Sequence, residues 1–527
     1  MATLSALPVH HRSWTALLER DDIVLDQGVL RLRHERTTPD DARTEDLLLT
    51  ASTLEAAGVR ILLVRHDVRL PAIVVDTADA AAAVAALREL SEPLYIKRKA
   101  RATILAAEID EPSAAPAAIR VYRPRISCSG ELRYNHEIGI RVEFWRFGEE
   151  FVEAPHDNAI TRRLTPASDI DFTDVERYGR RWRTISGMFD VHPAEFTEDV
   201  DMVFSWVDGS STHFQRQRAA QMAEYVVGEG DDGPARYRHV DELRYALRSV
   251  HMYAPWVRRI FIATDSPTPA WLLDHPKVTI VRSEEFFSDT SALPIHNSHA
   301  VEAQLHRIEG LAEHFLYSND DMFFGRPVEP ELFFSPAGIS RFVECGVRIG
   351  SGGSAAHRSG HDNALRVNRA LLSERFGRTI TRDLEHCATP LRRSVMDELE
   401  QAFPQDFART AASRFRSATD ISVTNSLYHY YAQFTGRAIA TTRPRVRYVQ
   451  TTLAASLAGM ERLARRRDVD MFCLNDGGAG EMPEDLRVRT VTDILERMFP
   501  VPGPWERAEV SAERGSAPSS ERSAVSG

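Results

Sequence analysis

The sequence contains little cysteine. Its 527 residues include only four cysteines, which lie far apart and without the short spacings of zinc ligands: Cys128, Cys345, Cys387 and Cys473. This pattern argues against a disulfide framework and against a structural zinc site. A reducing compartment, and therefore a cytoplasmic location, is expected.

Long apolar runs and an excess of basic charge are also missing. The longest apolar patch, residues 80–87, is far shorter than the roughly 20 residues that cross a bilayer. Residues 1–21 lack the apolar core of a signal peptide. The formal net charge is -11, so the chain lacks the basic balance that binding to a phosphate backbone requires. No membrane span, export signal or nucleic-acid partner is expected.

The composition, with 43% hydrophobic and 27% charged residues, is typical of a globular protein with two or three domains. Apolar runs at 59–64 and 73–75 and a helical pattern at 78–90 predict an α/β module. Aromatic and β-branched residues between 119 and 151 predict a β-rich connector. The predicted units are an α/β accessory module (1–118), the connector (119–197), a third and largest domain (198–504) and a disordered tail (505–527).

From residue 201 onward, predicted strands and helices alternate. The strands are placed at residues 202–207, 259–264, 278–281 and 315–318, and the helices at 240–253 and 299–311. This alternation predicts an α/β fold with a mostly parallel sheet covered by helices. Ligands of such sheets bind beyond the carboxyl ends of the strands, where Asp208, Asp265 and Asp320 lie.

Asp320 and Asp321 directly follow a predicted buried strand. Their oxygens suit Mg²⁺ or Mn²⁺, which typically bridge one or two carboxylates to substrate phosphates. The alternative is a solvated turn, because Asn and Asp are also common turn residues. Asp208, which precedes Gly209, has the same two interpretations. Two acidic strand ends in one sheet favour the metal site.

Glu302 and His306 lie four residues apart on a predicted helix, so they would share a face and could orient an acceptor or relay a proton. A surface Glu–His pair is the simpler interpretation and is favoured from the residues alone. His386, taken alone, is more typical of a loop or core histidine than of a base.

Arg414 and Arg416 flank Phe415 and could present guanidinium groups to a diphosphate, or could be surface cations with carboxylate partners. The glycine-rich segment 350–353 lacks the Gly-Lys-Ser/Thr ending of a P-loop. It is interpreted as a mobile lid or as a plain linker.

Four blocks of sequence, between residue 201 and about residue 476, resemble the Stealth family. They are DMVFSWVDG at 201–209; residues 236–328 with DELRYALRSV, NSHAVEAQLHRIEGL and FLYSNDDMFFGRPV; a third block with HCATP at 386–390; and a fourth with SRFRSATDIS at 413–422, followed by FCLND at 472–476. Stealth proteins are sugar-1-phosphate transferases of bacterial capsule and exopolysaccharide synthesis, and the animal N-acetylglucosamine phosphotransferase α/β precursor belongs to the same family. The layout is most similar to that of actinobacterial exopolysaccharide phosphotransferases.

The resemblance implies a nucleotide-sugar-transferase-like sheet and a set of functional residues. Asp320 and Asp321 would hold Mg²⁺ or Mn²⁺, and the donor, a nucleotide-diphospho-sugar, would be bound by Asp208, Arg416 and Arg244. The catalytic residues it implies are His386, Glu302, Asp208 and Arg416, with either His386 or Glu302 as the base.

The implied reaction transfers a sugar-1-phosphate to a hydroxyl of a polysaccharide acceptor and releases a nucleoside monophosphate. Two alternatives stay open at this point. One is a glycosyltransferase that releases a nucleoside diphosphate, and the other is a non-catalytic carbohydrate-binding scaffold. Peripheral contact with membrane polysaccharide machinery is a further implied partnership. Residues 1–195 are expected to bind the acceptor or to serve in assembly.

Overall fold

The computed structural model describes residues 12–66, 70–98, 103–108, 116–209, 240–475, 481 and 483–507. The strands before residue 198 are β1 (Ile23–Asp26), β2 (Val29–His34), β3 (Ile61–Arg65), β4 (Pro71–Asp76), β5 (Tyr95–Arg98), β6 (Thr103–Leu105), β7 (Ala118–Tyr122), β8 (Arg125–Ser127), β9 (Arg133–Tyr134), β10 (Ile140–Phe147), β11 (Phe151–Glu153), β12 (Leu164–Pro166), β13 (Phe172–Arg177) and β14 (Arg180–Ile185). The helices are α1 (Arg12–Leu18), α2 (Pro39–Ala56) and α3 (Ala80–Glu89).

An eight-stranded sheet dominates this part of the chain. Its order is β12-β11-β10-β7-β5-β6, with β4 alongside β10 and β3 paired to β4. The predicted strands at 59–64 and 73–75 and the helix at 78–90 are confirmed as β3, β4 and α3. Helix α2 was not predicted, although it starts with a capping box in which the Thr38 hydroxyl accepts from the Asp41 N–H.

The sheet joins segments that the sequence analysis separates. β7 pairs with β5, where Arg98 lies opposite Ile119, and β10 runs parallel to β4. The boundary predicted between residues 118 and 119 is therefore not a boundary of the fold, because backbone pairing continues across it.

The later part of the chain contains strands β15 (Val200–Ser205), β16 (Ile260–Ala263), β17 (Val278–Val281), β18 (His314–Asn319), β19 (Met322–Phe324), β20 (Ser340–Phe342), β21 (Glu344–Arg348), β22 (Arg382–Leu384), β23 (Thr389–Arg392), β24 (Ala438–Ala440), β25 (Val446–Gln450) and β26 (Met471–Asn475). Its helices are α4 (Glu242–Tyr253), α5 (Ser283–Phe286), α6 (Ser298–Glu302), α7 (Gly360–Phe376), α8 (Arg393–Ala402), α9 (Pro404–Ala411), α10 (Tyr428–Phe434), α11 (Ala454–Arg466) and α12 (Glu484–Met498), with a π-helix at Val423–Leu427 before α10.

A five-stranded sheet lies at the centre of this part, in the order β17-β16-β15-β18-β23. β15, β16, β17 and β18 are parallel, and β23 is antiparallel to β18. The predicted mostly parallel α/β sheet is confirmed. Directly after β18, the chain enters strand β19, which belongs to a second, three-stranded sheet in the order β19-β26-β25.

The helix predicted at 299–311 is wrong in its length. Helix α6 ends at Glu302, and a 3₁₀ turn follows at Leu305–Arg307. Glu302 and His306 are both buried but have different partners, Thr424 for the first and Glu400 for the second. A continuous α-helix would hold positions i and i+4 on one face, so the break lets the two side chains diverge.

The prediction of a disordered tail from residue 505 is wrong at its start. Trp505 is fully buried, and the Glu506 carboxylate accepts hydrogen bonds from Arg244 and Arg248 on α4. The buried Trp505 ring and these ion pairs therefore hold residues 505–506 against helix α4. The segment 508–527 lies outside the described residues.

One apolar core contains side chains from before and from after residue 198. Leu132, Tyr134 and Ile138 from the first part are buried together with Leu247 and Val250 of α4. The two parts therefore stabilise each other. None of the helices in the described ranges is long and apolar enough to span a membrane.

Candidate active site

The carboxyl ends of three parallel strands meet at one edge of the central sheet. Ser205, the last residue of β15, lies between Ala263 of β16 and Asn319 of β18. Asp208 follows β15, and its backbone N–H donates to the Ser266 hydroxyl, at 2.8 Å, just beyond β16. The acidic residues that the sequence places after the strands thus lie along this edge.

Asp320 and Asp321, the acid pair, lie half-buried between the central sheet and the three-stranded sheet. The Asp321 carbonyl accepts a 2.9 Å hydrogen bond from the Leu474 N–H of β26. Burial raises the pKa of the Cys473 thiol, and the charge and hydrogen bonding of the Asp321 carboxylate raise it further. Burial also raises the pKa of Tyr448 on β25, and the charges of Cys473 and Asp321 add to this rise. The acid pair is therefore held on a rigid strand junction.

The acid pair fits a divalent cation by its donor chemistry. Mg²⁺ usually takes one or two carboxylates and completes its shell with water and substrate phosphates, which is what two adjacent half-buried carboxylates offer. Within the described ranges, no group of three or more His, Cys, Asp or Glu residues is arranged to hold a metal ion. Asp476, the last residue of the FCLND block, lies outside those ranges. Binding of Mg²⁺ or Mn²⁺ stays a prediction.

Glu302 is a buried carboxylate at the end of α6. The Thr424 hydroxyl donates to it at 2.7 Å, and the Tyr317 hydroxyl lies 3.3 Å from its Oε1. Burial raises the pKa of Glu302, while the bond from Thr424 and the charge of Arg416 oppose that rise. The carboxylate is thus surrounded by hydroxyl donors and a guanidinium group.

Arg416 lies against the beginnings of two helices. Its Nη2 donates to the Ser298 hydroxyl at 3.0 Å, at the first residue of α6. A Cβ placed on Gly360, the first residue of α7, would lie 2.8 Å from the Arg416 Cβ and Cδ, so the arginine stem runs directly past this glycine. The Asp420 carboxylate accepts from Asn297 Nδ2 at 2.8 Å, which ties the SRFRSATDIS segment to α6.

His386 lies just before β23 and is half-buried. Its ring centroid is 5.4 Å from that of Tyr448, which is 45% exposed, and 6.2 Å from that of His361. Burial lowers the pKa of His386, and the nearby His361 lowers it further. The ring is therefore neutral at neutral pH and able to accept a proton.

The contacts link most of the predicted site residues into one chain. The Tyr317 hydroxyl lies 3.3 Å from Glu302 Oε1 and 2.9 Å from Asn319 Oδ1, and Asn319 is the residue before the acid pair. The Tyr448 ring lies 5.4 Å from that of His386. The charge of Asp321 is one of the causes that raise the pKa of Tyr448, after burial and the charge of Cys473. These contacts bring Glu302 and the segment of His386 near the carboxyl end of β18, which the acid pair follows, and Arg416 beside the helix that carries Glu302.

The structure does not support joint action of Glu302 and His306. His306 Nε2 lies 2.8 Å from Glu400 Oε2 on α8, on a different side from the hydroxyl donors of Glu302. The alternative of a surface pair is also wrong, because both side chains are buried. The spacing of the two residues could not predict their separate partners, because an argument from helical periodicity assumes a continuous helix.

Arg244 is placed in an ion pair, with its Nε donating to Glu506 Oε2 at 2.7 Å. Contact with the donor stays a prediction for this residue. Arg414 is exposed, and its Nε donates to the Ala292 carbonyl. The glycine-rich segment 350–353 is fastened to α7, because Arg369 donates to the carbonyls of Gly350 and Gly352.

Sequence reasoning missed several residues that shape the site. They are His361, Asp383, Thr424, Tyr448 and Ser298. The sequence signals were weak, since each is a single polar or aromatic residue without a local motif. Only the fold brings them to the edge of the sheet.

Comparison with known proteins agrees with this geometry. Conserved regions 2, 3 and 4 of the Stealth proteins match residues 236–342, 385–433 and 461–516. The HCATP and SRFRSATDIS segments both fall within conserved region 3, so their assignment to separate third and fourth blocks is wrong. The FCLND segment falls within conserved region 4.

Three curated relatives are similar over most of their length. The exopolysaccharide phosphotransferase CpsY of Mycobacterium tuberculosis is 49% identical over 508 residues, which cover 93% of each chain. The exopolysaccharide phosphotransferase of Nocardia farcinica is 59% identical over 71% of this chain and 74% of its own. The exopolysaccharide phosphotransferase SCO6023 of Streptomyces coelicolor is 36% identical over 90% of this chain and 84% of its own.

Among solved structures, the galactosyltransferase LgtC in complex with donor and acceptor sugar analogs is 12% identical to this chain. It aligns with 56% of this chain and 95% of its own, with a TM-score of 0.29, which is too low for a comparison of elements. The assignment therefore comes from the sequence relatives. The chain belongs to the Stealth family and is a transferase of its exopolysaccharide phosphotransferase group.

Proposed function

We propose that the protein transfers a sugar-1-phosphate from a nucleotide-diphospho-sugar to a hydroxyl group of a cell-surface polysaccharide. The acceptor oxygen forms a bond to the phosphorus that carries the sugar, and the bond from that phosphorus to the bridging diphosphate oxygen breaks. A phosphodiester forms and a nucleoside monophosphate leaves. Phosphoryl transfer of this kind depends mainly on positioning and on neutralisation of charge.

One observation supports this assignment most directly. The ring of His386, a neutral imidazole, lies 5.4 Å from that of Tyr448, whose strand β25 belongs to the same three-stranded sheet as the strand that follows the acid pair. Arg416, a guanidinium, donates to Ser298 of α6, the helix that carries Glu302. A base beside a site for charge neutralisation suits attack by a hydroxyl on phosphorus. The names of the relatives are consistent with the same chemistry.

His386 is the base in this proposal. Its ring is half-buried and neutral, and no hydrogen bond to it occurs within the described part of the chain. Glu302 is buried behind Thr424 and Tyr317, so it is placed to balance the charge of Arg416 rather than to reach an acceptor hydroxyl. Arg416 would then bind a non-bridging phosphate oxygen as negative charge develops.

Asp320 and Asp321 would hold Mg²⁺ or Mn²⁺, and Asp208 lies on the same edge. When bound, such an ion neutralises negative charge on the diphosphate of the donor. The protein contributes the rigid placement of its ligands, because Asp321 is hydrogen-bonded through its backbone to β26. The donor diphosphate would complete the cation's shell.

The nucleotide product tests the proposal. The purified protein is incubated with a panel of nucleotide-diphospho-sugars, a polysaccharide acceptor and Mg²⁺, and the released nucleotide is identified by mass. A nucleoside monophosphate is expected, and its release should stop in the presence of a chelator. Release of a nucleoside diphosphate would instead show glycosyl transfer, and sugar binding without turnover of any donor would indicate a scaffold.

A further inference from the structure

The surroundings of His386 contain a second histidine and a carboxylate that the proposed reaction does not yet use. The His386 ring centroid lies 6.2 Å from that of His361 and 5.4 Å from that of Tyr448. Asp383 lies three residues earlier in the chain, and the titratable chain neighbours are Glu385 and Cys387. Burial and the charge of His361 lower the pKa of His386, and the charge of Asp383 raises it.

Asp383 is the middle residue of β22, and both of its carboxylate oxygens are hydrogen-bonded. Its Oδ2 lies 2.8 Å from His361 Nε2, and its Oδ1 accepts a 2.8 Å bond from the Leu384 N–H. The side chain is only 11% exposed. Burial would raise the pKa of Asp383, but the hydrogen bond from His361 and the charges of His361 and His386 lower it overall. Asp383 is therefore a carboxylate at neutral pH.

His361 is fixed from the other side by helix α7. It lies in the first turn of this helix, whose start is capped by Ser359, because the Ser359 hydroxyl accepts from the Asp362 N–H. The preceding residue, Gly360, packs against Arg416. The hydrogen bond from His361 to Asp383 therefore connects the helix beside the guanidinium with the strand that precedes His386.

We propose that Asp383 is a positioning residue for His386 and that His361 holds the Asp383 carboxylate in place. When His386 takes the proton of the acceptor hydroxyl, its ring becomes an imidazolium. A fixed carboxylate nearby stabilises that positive charge, because a buried charge pair is poorly screened by water. In the Ser-His-Asp enzymes, a buried carboxylate likewise stabilises the imidazolium that forms when the histidine takes a proton.

This inference rests on the proposed function, in which His386 is the base. The first test replaces the carboxylate with an amide in the variant Asp383→Asn. We expect kcat to fall about 10- to 100-fold, as for other residues that support a catalytic group, with the KM for the donor changed less than about 2-fold. Asp383→Glu, which restores the charge, should recover part of the lost kcat.

The matched control is Glu385→Gln. Glu385 lies next to His386 in the chain and carries the same charge, but within the described residues it forms no side-chain hydrogen bond to either histidine ring. Its kcat should stay within about 2-fold of the wild-type value. An equal loss in both variants would mean that any removed carboxylate in this segment has the same effect, which would overturn the proposal.

A double variant separates positioning from a general structural role. If Asp383 acts through His386, then Asp383→Asn should lower the residual activity of His386→Ala by less than about 2-fold. A further 10-fold loss in the double variant would overturn the proposal. Wild-type kcat in Asp383→Asn would overturn it as well.

A measurement without substrate distinguishes failure of this inference from failure of the proposed function. In protein labelled with ¹³C-histidine, the His386 signal is assigned by its loss in His386→Ala, and its pKa is measured by titration. Asp383→Asn should lower this pKa, because a negative charge near the ring is removed. An unchanged value would overturn the inference, whatever nucleotide the enzyme releases.

The variant His361→Gln answers the case in which Asp383→Asn does not fold. His361 is one-third exposed at the start of a helix, so its replacement should be tolerated. We expect kcat to fall at least about 5-fold, because Asp383 loses the bond that orients it. A wild-type kcat in folded His361→Gln would overturn the proposed roles of His361 and Asp383.

Discussion

Glu302 shows how a single residue can be kept for function at the expense of stability. Its carboxylate is buried, and its pKa is raised above the ordinary value. For a carboxylate with a raised pKa, folding is favoured at low pH, and this contribution is lost as the pH rises through the raised pKa. Above its ordinary pKa, Glu302 therefore lowers the free energy of unfolding, because its pKa in the folded protein is raised.

The variant Glu302→Gln should separate these two effects. We expect kcat to fall at least about 10-fold, because the partner charge of Arg416 is removed. We also expect the thermal midpoint to be equal to or above that of the wild type at pH 7, with the difference growing as the pH is raised from about 4.5. Calorimetry over a pH series, together with nucleotide release, measures both.

The exposed Glu309→Gln is the control, since it should change neither quantity. A thermal midpoint of Glu302→Gln several degrees below the wild-type value at pH 7 would contradict the prediction. It would show that the carboxylate and its hydroxyl donors stabilise the fold.

Some residues of the site could be recognised from the sequence, and others could not. Asp208, Asp320 and Asp321 follow apolar strands, so their position at one sheet edge followed from the strand pattern. The partnership of Asp383 with His361 could not be predicted, because a hydrogen bond across a fold leaves no periodic trace in the sequence.

At the scale of elements, the start of helix α7 sets the position of Arg416. Gly360 leaves room for the arginine stem, which a Cβ would approach to 2.8 Å at the Arg416 Cβ and Cδ. These atoms lie at the root of the side chain and cannot move without shifting the guanidinium. The helix start therefore fixes the place of Arg416, the proposed phosphate-binding residue.

The variant Gly360→Ala should weaken donor binding while leaving the fold intact. We expect the KM for the donor to rise at least about 5-fold and the free energy of unfolding to fall by about 1 to 3 kcal/mol, because the contact with the Arg416 stem is an overpacking that outweighs the up to about 1 kcal/mol by which alanine favours helices over glycine. Gly353→Ala is the matched control, since its Cβ would meet nothing within 4 Å. An equal rise of KM in both variants would contradict the prediction.

The π-helix at Val423–Leu427 is an element that the sequence did not indicate. It brings Thr424 to Glu302, with 2.7 Å between the hydroxyl and Oε2. Such segments often occur at functional sites. Propensity describes whether a segment is helical, but the extra residue in one turn is fixed by tertiary contacts, so it could not be predicted. The long parallel strands, in contrast, were marked clearly by their apolar runs.

At the scale of the whole molecule, the shared core changes what a truncation would test. Residues 1–195 are predicted to bind the acceptor or to serve in assembly, and their removal would test this only if the rest of the chain folded without them. Leu132, Tyr134 and Ile138, however, pack in the same core as Leu247 and Val250. Loss of these side chains would leave apolar surface of the catalytic part in contact with water.

We therefore expect a chain starting at residue 198 to aggregate or to melt well below the full-length protein. Size-exclusion chromatography and thermal unfolding measure this directly. A monomeric fragment with the wild-type melting temperature would contradict the prediction. It would also restore truncation as a test of acceptor binding by the first part.

The pairing of β15 has a consequence for biosynthesis. Val200 of this strand pairs with His314, and the fifth strand of the sheet ends only at Arg392. At about 5 to 20 residues per second, the ribosome needs roughly 10 to 40 s to make the chain from β15 to β23. During that time the five-stranded sheet is incomplete, and the apolar side chains of Met202, Val203 and Phe204 in its middle strand lack part of their final cover. The yield of folded enzyme in a cell should therefore depend on the supply of chaperones that cover nascent chains.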